Sequence, residues 1–146
     1  MITAVDTSVL IDVFGADPRF GAPSANAPCV CFNEGAVAAS SVVWGETRAA
    51  FSSDEDFLRA LRTLGVGFSA QTEQAATLAG ITWKKYRARG GKRARVIADF
   101  LIGAHAASQC DRLLTRDRGT TRNTSAALSL SIRRHNATLR TDRVIE

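Results

Sequence analysis

The 146-residue chain is poor in the side chains that build imidazole or thiolate chemistry, with two histidines and three cysteines. His105 and His135 lie far apart in sequence, so no HExxH helix and no imidazole metal cage is available. Cys29, Cys31 and Cys110 are odd in number and none stands in a CxxC pair. That argues against a disulfide framework and a cysteine zinc site, and it fits a reducing cytoplasm. Long hydrophobic runs are missing too: none approaches the roughly 18 apolar residues of a membrane span. Met1 leads directly into an apolar strand without a basic leader or a long apolar run, which argues against a secretory signal. No internal repeat or low-complexity linker divides the chain. A single domain of this size buries roughly 68–70% of its unfolded surface and needs neither metal nor disulfide to fold.

What is present is an alternation of short strands and amphipathic helices. Ile2 to Val5 reads as a buried strand, Asp6-Thr7-Ser8 as a polar turn and Val9 to Phe14 as a short helix. A loop with Asp17-Pro18 and Ala22-Pro23 follows, then a helix-like stretch toward Asn33 and Gly35. Ala36 to Ser40 is the second strand, with Ser41 as cap of a helix through Phe51. Ser53 to Leu64 is a helix with Phe57, Leu58, Leu61 and Leu64 inward, stopped by Gly65. Val66 to Phe68 is a third strand and Thr72 to Arg87 a long helix with Ala75, Leu78, Ala79, Thr82 and Tyr86 on one side. Arg112 to Thr115 is a fourth strand, and the alternation of Leu128, Leu130 and Ile132 makes Ala127 to Ile132 a last one. This order argues for an α/β fold with a parallel sheet covered on both faces. The folded domain is expected over residues 1–132, with 133–146 as an exposed or poorly ordered tail.

The segment RVIADFLIGAHAA, from Arg95 to Ala107, sets Asp99 into an otherwise apolar helix. A carboxylate buried there has to be capped, paired or given a cation. One reading is a helix cap or a pair with Arg95; the other is a metal ligand facing a cleft lined by carboxylates. Asp6 and Asp117 each leave the end of a strand, where open α/β sheets bind ligands, although Asp also caps helices and forms turns. Glu46 falls at the edge of an apolar helix face. Four acids without a histidine suit a hard divalent ion such as Mg2+ better than zinc.

Charge points the same way. Nineteen Lys and Arg against fourteen Asp and Glu give +5, a balance that favours an anionic partner. The stretch KKYRARGGKRAR holds seven basic residues in twelve: Lys84, Lys85, Arg87, Arg89, Lys92, Arg93 and Arg95. It can track a phosphate backbone, with Tyr86 available for base stacking and Gly90-Gly91 as a flexible break, or it can be a solvated loop.

Val5-Asp6-Thr7-Ser8, Trp44-Gly45-Glu46, ARVIADFLIGAHA from Ala94 to Ala106 and LLTRDRG from Leu113 to Gly119 resemble, in this order, the motifs of PIN-domain ribonucleases. More narrowly they are similar to VapC-type toxins of toxin–antitoxin modules. The resemblance implies a three-layer α/β/α sandwich with a central parallel sheet and Mg2+- or Mn2+-dependent endoribonuclease activity. It also implies a homodimer and inhibition by a cognate VapB-like antitoxin. By position, Asp6, Glu46, Asp99 and Asp117 become the acidic metal-site quartet, and Thr7, Ser8 and Thr115 hydroxyls that support it or touch phosphate. The chain departs from the pattern after Gly119, where Thr120 to Ser125 carries no aromatic side chain. This keeps open a catalytically impaired domain that binds RNA or a partner without turnover. An aspartyl phosphotransferase with Asp6 as nucleophile is a further competitor, but Ser8 stands where that chemistry uses a second acid.

Replacing Arg89, Lys92 and Arg93 together by Gln is expected to weaken RNA binding and flatten its salt dependence, since fewer counterions are released. Filter binding across a salt series measures the slope; an unchanged slope makes the stretch a solvated loop.

Overall fold

A computed structural model describes residues 1–15, 33–91, 97–116, 129–132 and 143–144, the last two segments through their backbone alone. Strands β1 (Ile2–Val5), β2 (Ala36–Ser40), β3 (Val66–Ser69), β4 (Arg112–Thr115), β5 (Ser129–Ile132) and β6 (Arg143–Val144) form one sheet in the order β3-β2-β1-β4-β5-β6. β1 to β4 run parallel, with Ala4 opposite Ala38 on one side and Leu113 on the other. β5 joins β4 antiparallel, Leu130 opposite Leu114, and β6 joins β5 antiparallel. The connection from β1 leads to one side of it and the chain returning from β3 arrives on the other. The sheet therefore changes winding direction between β1 and β4, the place where such sheets open a crevice at their carboxyl ends.

The helices are α1 (Thr7–Phe14), α2 (Ser41–Arg48), α3 (Asp54–Leu64), α4 (Glu73–Ala88) and α5 (Ile97–Gln109). Successive strand residues point to opposite faces, and the core divides accordingly. Val5, Val37 and Leu114 pack with Val9 and Leu10 of α1, Val43 of α2, Phe57 and Leu61 of α3 and Ile102 of α5. Ala4 and Leu113 meet Ala106 of α5 and Cys110 on the other face. The result is the expected three-layer α/β/α sandwich, with β5 and β6 extending the parallel centre antiparallel. Edge-to-face aromatic contacts run from Phe14 through Phe51, Phe57 and Trp44 to Phe68 at centroid spacings of 5.2–5.6 Å. Such pairs add roughly 0.5–1.5 kcal/mol each beyond the area they bury.

Local chemistry sets the boundaries. Ser53 caps α3 by accepting from the Asp56 N–H, and Gly65 closes it at φ 70°, a left-handed conformation that only glycine adopts cheaply. Thr72 caps α4 through the Ala75 N–H. The cap of α2 is Ser40 rather than Ser41, because β2 runs straight into the helix and the last strand residue already has the extended conformation a cap needs. Leu78 and Thr82, expected inward on α4, are exposed; only Ala75 and Ala79 of that face are buried, since α4 packs on α5 rather than on the sheet. Leu58 of α3 likewise sits at the surface. Both glycines are fitted to the turn after α4: Gly90 has φ 75°, and a Cβ on Gly91 would lie 2.3 Å from the Tyr86 ring. The helix-like stretch expected before Asn33, with Cys29 and Cys31, lies outside the described residues, as do 127–128, His135 and all of the expected tail except β6.

Polar side chains fix α5 to the β3–α4 connection. His105 is buried on α5 with its Nε2 2.9 Å from the Ser69 hydroxyl. Gln71 Nε2 donates to the Leu101 carbonyl at 3.0 Å, and Gln109 Nε2 to the Ala70 carbonyl at 2.8 Å. Burial lowers the His105 pKa; beside it the Cys110 thiol is pushed up to about 11 by burial and by the Asp111 charge, so it stays a thiol. In the unfolded chain His105 takes up a proton near about pH 6.5. Below that value the unfolded state binds more protons than the folded one, so stability falls as the pH drops through it. Urea unfolding at about pH 7.5 and about pH 5.5 is expected to show this loss, and His105→Gln to shrink it. A loss of equal size in the variant would assign it to other groups.

Candidate active site

The carboxyl ends of β1 and β4 lie side by side, and the backbone N–H of Asp6 donates to the Leu114 carbonyl at 2.9 Å. Asp6 occupies the N-cap position of α1, yet its side chain makes no cap hydrogen bond. Instead its Oδ2 accepts from the Thr115 hydroxyl at 2.5 Å and from the Ser8 hydroxyl at 3.2 Å. The capping reading of Asp6 is therefore set aside, and the carboxylate is held by two hydroxyls on the side of the crevice. Both donate to one oxygen, and among the described residues none donates to Oδ1.

Glu46 reaches the same crevice from α2. It is exposed, as a lone helical Glu usually is, but Thr7 Oγ1 donates to its Oε2 at 2.5 Å. Thr7 and Ser8, adjacent on the first turn of α1, thus orient two different carboxylates. α5 runs back toward β4, so its first turn, which carries Asp99, lies at the carboxyl end of the sheet, and α5 packs against α2. The expectation that Asp99 is buried is corrected here: it is exposed, because α5 buries Ile102, Ala104, His105 and Ala106 on other sides while its first turn projects past the sheet. An acid on a first turn also meets the positive end of the helix dipole.

Asp117, Lys92, Arg93 and Arg95 lie outside the described residues. Lys84, Lys85, Arg87 and Arg89 are exposed on the last turns of α4 and just after it. Tyr86 is not the open stacking platform expected; it is half-buried, its ring 5.3 Å from that of Phe100, and it joins α4 to α5. Arg87 lies over the Trp83 ring at 5.1 Å, a cation–π contact that keeps this guanidinium at the surface.

Sequence reasoning passed over one charged residue of the site. Asp12 of α1 is 6% exposed, and both of its carboxylate oxygens accept from Arg116 Nη1, at 2.8 and 2.9 Å. The rule applied to Asp99, that an acid inside an apolar run needs a partner, would have found it in Val9 to Phe14.

Whether a divalent ion fits can be judged from the donors. Among the described residues no three His, Cys, Asp or Glu side chains stand close enough to hold an ion between them. The carboxylates at this edge are hard oxygen donors, one already oriented by hydroxyls, and Mg2+ binds through one or two carboxylates while keeping several waters. The residues fit such an ion.

A family model described as PIN domain matches residues 3–125. Among solved structures, VapBC2 from Rickettsia felis, bound to a DNA fragment from its promoter, is similar at TM-score 0.62 and 16% identity, over 80% of this chain and 89% of that one. VapBC-1 from nontypeable Haemophilus influenzae is similar at TM-score 0.55 and 23% identity, over 73% and 79%. At these identities the likeness is one of fold. No curated protein matches by sequence.

Next to Glu46, Thr47 is fully buried and its hydroxyl has no hydrogen-bond partner among the described residues. An unpaired buried polar atom costs about 1–3 kcal/mol, so the near-isosteric Thr47→Val is expected to stabilise the fold by about 1 kcal/mol. Urea denaturation measures it; a destabilised variant would mean that the hydroxyl has a partner.

Proposed function

Since the chain belongs to the PIN-domain family, whose members are generally nucleases that use divalent metal ions, we propose that it is an Mg2+- or Mn2+-dependent endoribonuclease acting as the toxin of a toxin–antitoxin pair. The observation that carries this reading is Asp6: a carboxylate at the winding switch of the sheet, placed to cap a helix and instead held by hydroxyls from α1 and β4. An arrangement that only stabilised the helix would aim the same side chain at its N–H groups.

Asp6, Glu46 and Asp99, with Asp117 from the segment after β4, are the residues that would hold the ion. Bound there, it would supply Lewis-acid stabilisation of phosphate charge and lower the pKa of an attacking water. The chain itself contributes orientation. Thr115 and Ser8 fix the Asp6 carboxylate, and Thr7 fixes Glu46. Lys84, Lys85, Arg87 and Arg89 draw a polyanion toward an acidic floor that would repel it. No protein nucleophile is required, because water is the attacking group.

The two solved neighbours, both VapBC structures, support a VapB-like antitoxin as partner; a homodimer and a cytoplasmic location belong to the same reading. Among the described residues no helix is long and apolar enough to cross a membrane.

The test is cleavage of total RNA by the purified chain with Mg2+, Mn2+ or EDTA, beside Asp99→Asn. The amide keeps the size of the carboxylate and removes one charge. Turnover is expected to fall on the order of 100-fold or more, since several kcal/mol of charge stabilisation depend on the ion. RNA affinity in EDTA is expected to hold or rise, because one repulsive charge has left the site. Mn2+ is expected to raise the melting temperature of the parent more than that of the variant. Cleavage at the parental rate would exclude Asp99 as a ligand. A parent that binds RNA and never cuts it would be the impaired binding domain instead.

A further inference from the structure

The end of β4 is tied to the β1–α1 corner twice, and only the first tie involves a residue of the proposed metal site. At the first, Thr115 donates to Asp6; at the second, one residue on, Arg116 donates to Asp12, six residues along from Asp6. We propose that Asp12 is a positioning residue for the metal-binding edge: by holding Arg116 it fixes the exit of β4, and through Thr115 the orientation of the Asp6 carboxylate. This rests on the reading of Asp6 as a metal ligand.

The physical case starts from burial. The Asp12 side chain is 7% exposed against 36% for Arg116, so the carboxylate is the desolvated member and needs its partner more than the guanidinium does. A buried carboxylate left alone is strongly unfavourable, which makes the position of Arg116 relative to α1 a narrow one. α1 is itself anchored in the core by Val9 and Leu10, both fully buried, so the fixed member of the pair is the helix and the positioned member is the strand end. Asp12 is too enclosed to be a ligand. It acts at one remove, through a residue whose neighbour in the chain bonds Asp6 directly. Residues that orient metal ligands change affinity by about 10–100-fold when removed, and that is the scale expected.

The experiment measures Mn2+ binding by calorimetry, steady-state RNA cleavage and melting without metal, in the parent, Asp12→Asn, Thr115→Val and their double variant. Asp12→Asn is expected to weaken Mn2+ about 10-fold and to lower kcat with KM nearly unchanged, on the scale of lost ligand orientation. The double variant is expected to lose little more than the worse single one, because both changes release the same strand end. A lower melting temperature with unchanged Mn2+ affinity would make Asp12 a purely structural residue and overturn the proposal. So would losses in affinity that simply add. If Asp12→Asn does not fold, Asp12→Asn with Arg116→Gln removes both charges together; parental Mn2+ affinity there overturns the proposal. A parent that binds Mn2+ and cuts no RNA fails the nuclease reading alone, and the affinity measurements still judge Asp12. A parent that binds no Mn2+ overturns both.

Discussion

A carboxylate taken out of water has to be given donors or a cation, and at the β1–α1 corner two of them meet this demand with groups from one strand end. Asp6 receives a hydroxyl from Thr115, the last residue of β4, beside that of Ser8, and Asp12 receives the guanidinium of Arg116, the next residue after the strand. Parallel pairing alone fixes β4 beside β1; these contacts add where β4 stops. With the corner set, α1 has one orientation over the sheet, and Thr7 on its first turn reaches the helix that carries Glu46.

The other wall of the crevice is set by a different kind of bond. α5 brings small residues to the sheet, Ala106 against Ala4, which lets it approach closely but gives little to grip. Side-chain amides and an imidazole supply the grip: Gln71, Gln109 and His105 join α5 to the connection after β3. Contacts along the body of its helix therefore help to place Asp99. The two walls are held by different means. One is fixed by charge next to the site, the other by neutral polar pairs away from it.

Much of the fold was legible because each strand is short, apolar and followed by a polar cap. Ile2–Val5 before Asp6 and Ala36–Ser40 carry their limits in their own residues, and the third strand, expected over Val66 to Phe68 after Gly65, runs one residue further, to Ser69. Glu46 and Asp6 were legible as candidates by position, and Thr7, Ser8 and Thr115 as supporting hydroxyls by resemblance, but not which hydroxyl meets which carboxylate, since Thr115 reaches Asp6 from 109 residues away. Asp99 was misplaced in burial because an apolar composition does not say which turn of a helix projects beyond the sheet. Tyr86 was misread for a related reason: a lone aromatic among basic residues looks exposed until the helix opposite, with Phe100, is in place. Asp12 was legible by the rule applied to Asp99, as the single acid of an apolar run, and only its partner Arg116, 104 residues away, needed the fold.

The sheet order has a consequence for synthesis. β1 finds β2 early, but its other neighbour is β4, with Thr3 opposite Arg112. A nascent chain that has emerged only as far as β3 already carries Asp6, Thr7 and Glu46, yet lacks the strand end that orients the first of them. Pairing over such a separation forms late, because the closure of a long loop has to precede it. The acidic edge of the domain is thus incomplete until β4, Arg112–Thr115, has been built.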